Sequence, residues 1–232
     1  MMEINISEFD VSNLFDPKLA IDSLPFVLGG LPMTIAVSFV AMGIGLILGL
    51  FLALGRNSRT ILLRWPVRLY ISFMRGTPII VFLFILYNGL PYAGIELSAY
   101  MAAIIGFGLN SAAYIAEINR ASLNSVPSGQ WESAQALGLT KWKTLGSIIL
   151  PQATRIALPP LTNVFLDLVK ASSLAAVITV PELFQKAQIV GGRTYDHMTM
   201  YVLIALIYWS LCIVISAFQE RLEKRFSRYI QT

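Results

Sequence analysis

Histidine and cysteine each occur once in this sequence of 232 residues, as His197 and Cys212. No intramolecular disulfide can form, and no Cys/His set for a structural metal exists. Cys212 sits in an apolar run without an activating neighbour, so it is not read as a reactive thiol, and neither residue is given a special role. Clustered His/Asp/Glu or Ser/His groups, which an intramembrane enzyme would need, are missing too. No G-x-x-x-x-G-K-[ST] phosphate loop occurs, so the chain is not expected to bind ATP itself. Charge is also scarce. Only 13% of residues are Asp, Glu, Lys or Arg, whereas soluble domains carry about 25%. With 56% hydrophobic residues and a mean hydropathy of +0.69, bilayer is the natural solvent for this chain. The net charge of +4 and pI near 9.3 do not imply nucleic acid, because basic residues on the cytoplasmic side of a membrane protein produce the same balance.

What is present is a series of long apolar runs. A spanning helix needs about 20 such residues. Candidate spans run from Phe26 to Leu54, Pro66 to Leu90, Leu97 to Leu123, Ile156 to Val180 and Met198 to Phe218. The first is rich in glycine (Gly29, Gly30, Gly43, Gly45, Gly49), which lets neighbouring helices approach closely. The residues before it carry Glu3, Glu8, Asp10, Asp16 and Asp22 against Lys18, which is not the basic start of a signal peptide.

Lys and Arg set the orientation. Arg56, Arg59, Arg64 and Arg68 follow the first span; Lys141, Lys143 and Arg155 lie between the third and fourth; Arg221, Lys224, Arg225 and Arg228 form the tail. These predict an all-α integral membrane fold of five spans, N-terminus outside and C-terminus cytoplasmic. Its parts are an extracellular segment 1–25, a transmembrane domain 26–220 with a loop at 126–151, and a basic cytoplasmic tail 221–232.

The loop has its own pattern. Pro127 and Ser128 open a short helix, with Ser128 as cap and Glu132 in the first turn. Gly138 fits a left-handed closing position, Thr140 caps a second short helix, and Pro151 is expected to end it. Ser133, Ala134 and Ala136 are small enough for the helix to seat in a partner groove. An amphipathic helix lying on lipid headgroups reads equally well from these residues alone.

Glu132-Ser133-Ala134, Gly138 and Ile148-x-Leu150-Pro151 match the loop motif of ABC-transporter permease subunits, with Ser133 in place of an alanine. Arg75-Gly76-Thr77-Pro78, Tyr114-Ile115-Ala116-Glu117, Arg120 and Lys170-x-x-Ser173-Leu174 resemble the polar-amino-acid branch. The runs Gly89-Leu90-Pro91, Gly94-Ile95-Glu96-Leu97 and Val180-Pro181-Glu182-Leu183-Phe184 are similar to L-cystine permeases.

The resemblance implies a type I importer permease that pairs with a second copy or a sister subunit. It implies an ABC ATPase dimer carrying ATP and Mg on the partner, and an extracellular binding protein that delivers the amino acid. Cystine is the expected substrate; glutamine, arginine or histidine would use the same machinery. An ion-driven carrier or channel is the distant alternative, and it leaves the loop motif without an account.

Charges inside spans are functional candidates. Asp167 and Lys170 share a helix face, either as a self-neutralising pair or as lining of the substrate path with Ser172 and Ser173. Ala171 stands where the family often has an acid. Arg75 and Thr77 precede Pro78, which should break its helix; Arg75 either binds a substrate carboxylate or ties the helix near the cytoplasmic boundary. Glu117 and Arg120 read as a pair orienting the loop. Asn110 and Asn163 are counted with the path, although such residues more often bond between helices. Pro159-Pro160 is expected to kink the fourth span.

Overall fold

A computed structural model describes the backbone of residues 15–227 and the side chains of residues 15–221. The first part of segment 1–25 and the tail beyond Arg221 lie outside these described side chains. Among the described residues the chain is helical, and four helices are long and apolar enough to cross a membrane, or five if the bent pair is one span.

The first predicted span is two helices, α1 (Pro17–Leu28) and α2 (Leu31–Arg56), so the expected boundary at residue 25/26 falls inside α1. Asp16 starts α1: its carboxylate accepts from the N–H groups of Lys18 (2.8 Å) and Leu19 (3.1 Å), and Pro17 suits the first position. Pro32 lacks the N–H that would bond back to Leu28, so the chain restarts as α2 after Gly29-Gly30.

The second predicted span is broken. The helices α3 (Ile61–Gly76) and α4 (Ile79–Phe84) meet at Thr77-Pro78, and the two arms are bent by 105°. A π turn (Ile85–Gly89) and a 3₁₀ turn (Leu90–Ala93) extend the second arm. α5 (Ala99–Asn124) agrees with the third span to within two residues and is the most buried of the crossing helices.

The loop begins as expected, with α6 (Ser128–Ala136). Two details differ. Pro127 occupies the cap position, so Ser128 is the first helical residue, and Glu132 lies beyond the first turn. Gly138 has φ +75° and closes the turn, and Thr140 caps α7 (Lys141–Thr144) by accepting from Lys143 N–H. Pro151 does not end a helix. A π turn at Leu145–Ile149 precedes it and α8 (Leu150–Ala171) follows, so the rod runs from Lys141 to Ile178. The widened turn leaves room for the proline ring, which in a regular helix would meet the carbonyl four residues back. α8 also continues unbroken through Pro159 and Pro160. Beyond Ala171 the chain tightens into a 3₁₀ stretch, Ser172–Ile178. The short helix α9 (Leu183–Thr194), absent from the sequence reading, precedes α10 (His197–Ser227), which extends past the predicted end at Phe218.

Two apolar clusters organise these elements. One joins α2, α4, α5 and α8 through residues such as Val37, Ala41, Leu83, Ala103, Phe107 and Leu168. The other joins α1, α9 and α10 through Ala20, Val27, Leu183, Ala187, Met200 and Ile204. Close approach at glycine sets their spacing. A Cβ on Gly49 would lie 2.7 Å from the Ile115 side chain, and one on Gly30 would lie 2.6 Å from the backbone nitrogen of Leu183. Gly43 faces open space.

Gly30→Ala should therefore destabilise the protein by about 1–3 kcal/mol through overpacking against rigid backbone. Gly43→Ala should stay within about 0.5 kcal/mol of the parent. Thermal unfolding in detergent measures both, and equal melting of the two variants would contradict this packing.

Candidate translocation and coupling sites

The break at Thr77-Pro78 leaves a backbone group to satisfy. Pro78 cannot donate to the Met74 carbonyl, and in apolar surroundings an unpaired carbonyl is costly. The Asn110 side chain of α5 supplies the missing donor, its Nδ2 lying 2.8 Å from the Met74 oxygen. Asn110 thus bonds between helices, and it also lines a cavity of about 240 Å³ with Ile79, Tyr114 and Asp167.

Asp167 and Lys170 form an ion pair of 2.8 Å, and both remain largely exposed. Asp167 opens onto the small cavity, whose wall also includes Ala171. The other predicted path residues are distributed differently. Ser172 is buried, donates to the Val169 carbonyl (2.7 Å) and lies 3.5 Å from the Tyr208 hydroxyl, so it does not line that cavity. Ser173 donates to the Lys170 carbonyl. Asn163 faces outward and accepts from Gln219 of α10 at 3.5 Å. Thr77 supplies the extended backbone before Pro78.

Arg75 lies at a second, larger cleft of about 560 Å³, beside Arg56, Arg68, Ser72 and Tyr114. Its guanidinium stands over the Tyr114 ring, 5.4 Å from the centroid. Tyr114 lines both the cleft and the small cavity, so its ring is their shared wall. Sequence reasoning quoted Tyr114 without giving it a role; its position four residues after Asn110 on α5 was the available signal.

Glu117 pairs with Arg120 (3.0 Å) and also with Arg56 of α2 (2.7 Å), which sequence reading had used only for topology. The chain runs on from this group into the loop. Val126, Ile149 and Ala153 form a small core with Trp131, Leu145 and Ile148, which fastens α6 to the start of the long rod. Gln152 adds bonds to the Ile148 carbonyl (2.8 Å) and to Gln130 (3.4 Å). Ala134 is buried, while Glu132, Ser133, Gly138, Leu150 and Pro151 are exposed.

Another polar group, quoted in the sequence only for its resemblance, has a structural role. In the connection between the last two spans, Glu182 is fully buried and caps α9, accepting from Phe184 N–H (2.9 Å) and Gln185 N–H (2.7 Å). The Tyr208 hydroxyl donates to it at 2.8 Å. Burial pushes this carboxyl above the ordinary range, against the downward pull of its donors.

Residues 45–228 match the family described as the binding-protein-dependent transport system inner membrane component. The chain belongs to this family. It is 61% identical over 217 residues to a probable amino-acid ABC transporter permease protein, YckA, of Bacillus subtilis (strain 168), covering 94% of this chain and 96% of that one. It is 44% identical over 207 residues to the L-cystine transport system permease protein TcyB of the same organism, covering 89% and 88%. Among solved structures, a chain of an amino acid ABC transporter with histidines superposes with a TM-score of 0.86 at 35% identity, covering 90% and 98%. A chain of the MetNI methionine transporter, at 22% identity and TM-score 0.67, shares the fold. The protein is therefore a multi-pass cell-membrane permease of an amino acid ABC importer, a transport component rather than a catalyst.

In this permease Asn110 and Pro78 form one unit. Asn110→Ala should cost about 1–3 kcal/mol by leaving the Met74 carbonyl unpaired. In a Pro78→Ala background, where a backbone N–H is restored, the same substitution should cost at least about 0.5 kcal/mol less. A double-mutant cycle of thermal unfolding reads this coupling, and strict additivity would remove it.

Proposed function

We propose that this permease moves L-cystine, delivered by an extracellular binding protein, with its N-terminus outside and its C-terminus in the cytoplasm. The observation that carries the choice of substrate class is that the one acid in the wall of the small cavity is neutralised by a cation outside that wall. Its one acid, Asp167, is already paired with Lys170, and Ala171 stands in the wall where an acid would add negative charge. A cationic amino acid such as arginine would find no surplus carboxylate there, whereas a net-neutral zwitterion requires none. Cystine is preferred over glutamine because of the similarity to the cystine permease and the runs around Gly89 and Val180.

In this reading Asn110, Asp167 and Lys170 contact the substrate, and Arg75, in the separate cleft, holds the Tyr114 ring that walls the path. Two permease copies, or this chain and a sister, enclose the path. An ATPase dimer, holding ATP and Mg, docks on the two loops. Leu137 and Trp142, 80% and 83% exposed at the loop tip, suit an apolar groove on that partner. Closure of the ATPase pair would pull α6, and the small core beneath it would pass the displacement to α5 and to the rod that becomes α8. Glu117, held by Arg56 and Arg120, would keep the lower end of α5 aligned during this motion.

Uptake of labelled cystine should return when this chain is restored to a strain lacking it. Excess unlabelled cystine should suppress that uptake, while excess arginine should leave it nearly unchanged. Uptake insensitive to cystine would exclude this substrate. Gly138→Asp places a side chain at φ +75° and a charge on the docking turn. It should leave membrane insertion intact while uptake falls about tenfold or more relative to ATP hydrolysis. Normal uptake by that variant would remove the coupling role of the loop.

A further inference from the structure

We propose that the cleft beside Arg56, Arg68 and Arg75 binds the phosphate of an anionic phospholipid. The inference stands apart from the translocation reading, because it turns on Arg68, which has no place on the substrate path.

The helix α3 is amphipathic in a particular way. Arg64, Arg68 and Arg75 fall within about 40° of one another around its axis, with Ser72 beside them. Among the described residues Arg68 has no ion-pair partner, and Arg75 sets its guanidinium over the face of Tyr114. Arg56 and Arg120 share Glu117. The local balance is thus four guanidiniums, those of Arg56, Arg68, Arg75 and Arg120, against one carboxylate. Such a cleft attracts an anion, and guanidinium geometry suits phosphate oxygens.

Three features decide the anion's source. An amino acid brings an ammonium as well as a carboxylate, and Glu117 is already shared by two arginines. The cleft measures about 560 Å³, more room than a bare ion needs. Next to the arginine stripe, α3 exposes an apolar strip: Trp65 is 63% exposed, Leu69 56% and Phe73 50%. A headgroup phosphate in the cleft would lay its acyl chains along that strip. Short basic amphipathic helices bind anionic bilayer surfaces by this combination. The bound lipid would also brace the elbow at Thr77-Pro78, one turn beyond Ser72.

The full chain, purified in detergent and stripped of lipid, would be titrated with phosphatidylglycerol or phosphatidylcholine of matched acyl chains. Native mass spectrometry counts the lipids retained. Phosphatidylglycerol should be favoured by about tenfold, and Arg68→Gln should lower its retention about fivefold, with Arg68→Lys losing less. Equal retention of the two lipids by the unaltered chain overturns the proposal, and that comparison holds even if Arg68→Gln fails to fold. Retention unchanged in a folded Arg68→Gln overturns it as well. Displacement of the lipid by inorganic phosphate alone would assign the cleft to a free anion, and displacement by cystine would assign it to the substrate path; either result also overturns it.

Discussion

The bond from Asn110 to the Met74 carbonyl is the point on which the rest of the molecule turns. A helix crossing a bilayer cannot leave backbone groups unpaired, so a break inside a span survives only where a neighbour replaces the lost partner. Pro78 makes the break, Asn110 replaces the partner, and the arms can then diverge by 105°. That divergence separates the α3 arginines from the apolar α4 arm. It also brings Ile79, just past the break, into the wall of the small cavity. Without the bond, the bend would carry a cost of the same order as a typical destabilising mutation, and a straighter span would compete with it.

The same helix that heals the break carries the remaining polar machinery. Asn110, Tyr114, Glu117 and Arg120 recur at helical spacing along α5 and mark one side of it. In order they meet the break, the wall shared by two cavities, the ion pair to α2, and the approach to the loop. α5 can be so placed because its other sides are unusually plain. Alanine and glycine let α2 approach closely, with Gly49 against Ile115. Small residues therefore buy the proximity that the polar residues use. A displacement at α6 meets no flexible linker before α5, since Val126 in the short connection is itself packed into the core under the loop.

Much of this was legible in the sequence, and the failures have specific causes. Span lengths and the break at Pro78 follow from hydropathy and one proline. Gly138 and Thr140 were readable because a left-handed turn and a helix cap each demand particular residue types. Pro151 misled because its stop signal assumes an α-helix before it, and the π turn at Leu145–Ile149 removes the clash. The split between α1 and α2 was hidden by hydropathy, which does not register Gly29-Gly30 and Pro32 as a restart. For Ser172, position within a span does not say which way a hydroxyl points, and this one faces Val169 and Tyr208. Arg56 could be found only once helices distant in sequence were set side by side, whereas Tyr114 was signalled by its spacing from Asn110 on α5.

The ionisable groups sort by how fully their charge is engaged, and this separates structural roles from candidate functional ones. Glu182 is wholly buried and accepts from two backbone donors and from Tyr208, so it has little capacity left for a ligand. It holds α9 against α10 and meets the chain near Gly30, where no side chain fits. Glu117 is similarly spent on two arginines. Asp167 differs: it has one recorded ion partner, it is largely exposed, and it opens onto a cavity. Arg75 has a ring face rather than an acid. A charge kept near apolar surroundings with so few partners is costly, and the cost is offset if a transient ligand completes the set. These differences favour Asp167 over the better-bonded Glu182 as the proposed substrate contact, although both are carboxylates on elements that flank the same 3₁₀ stretch.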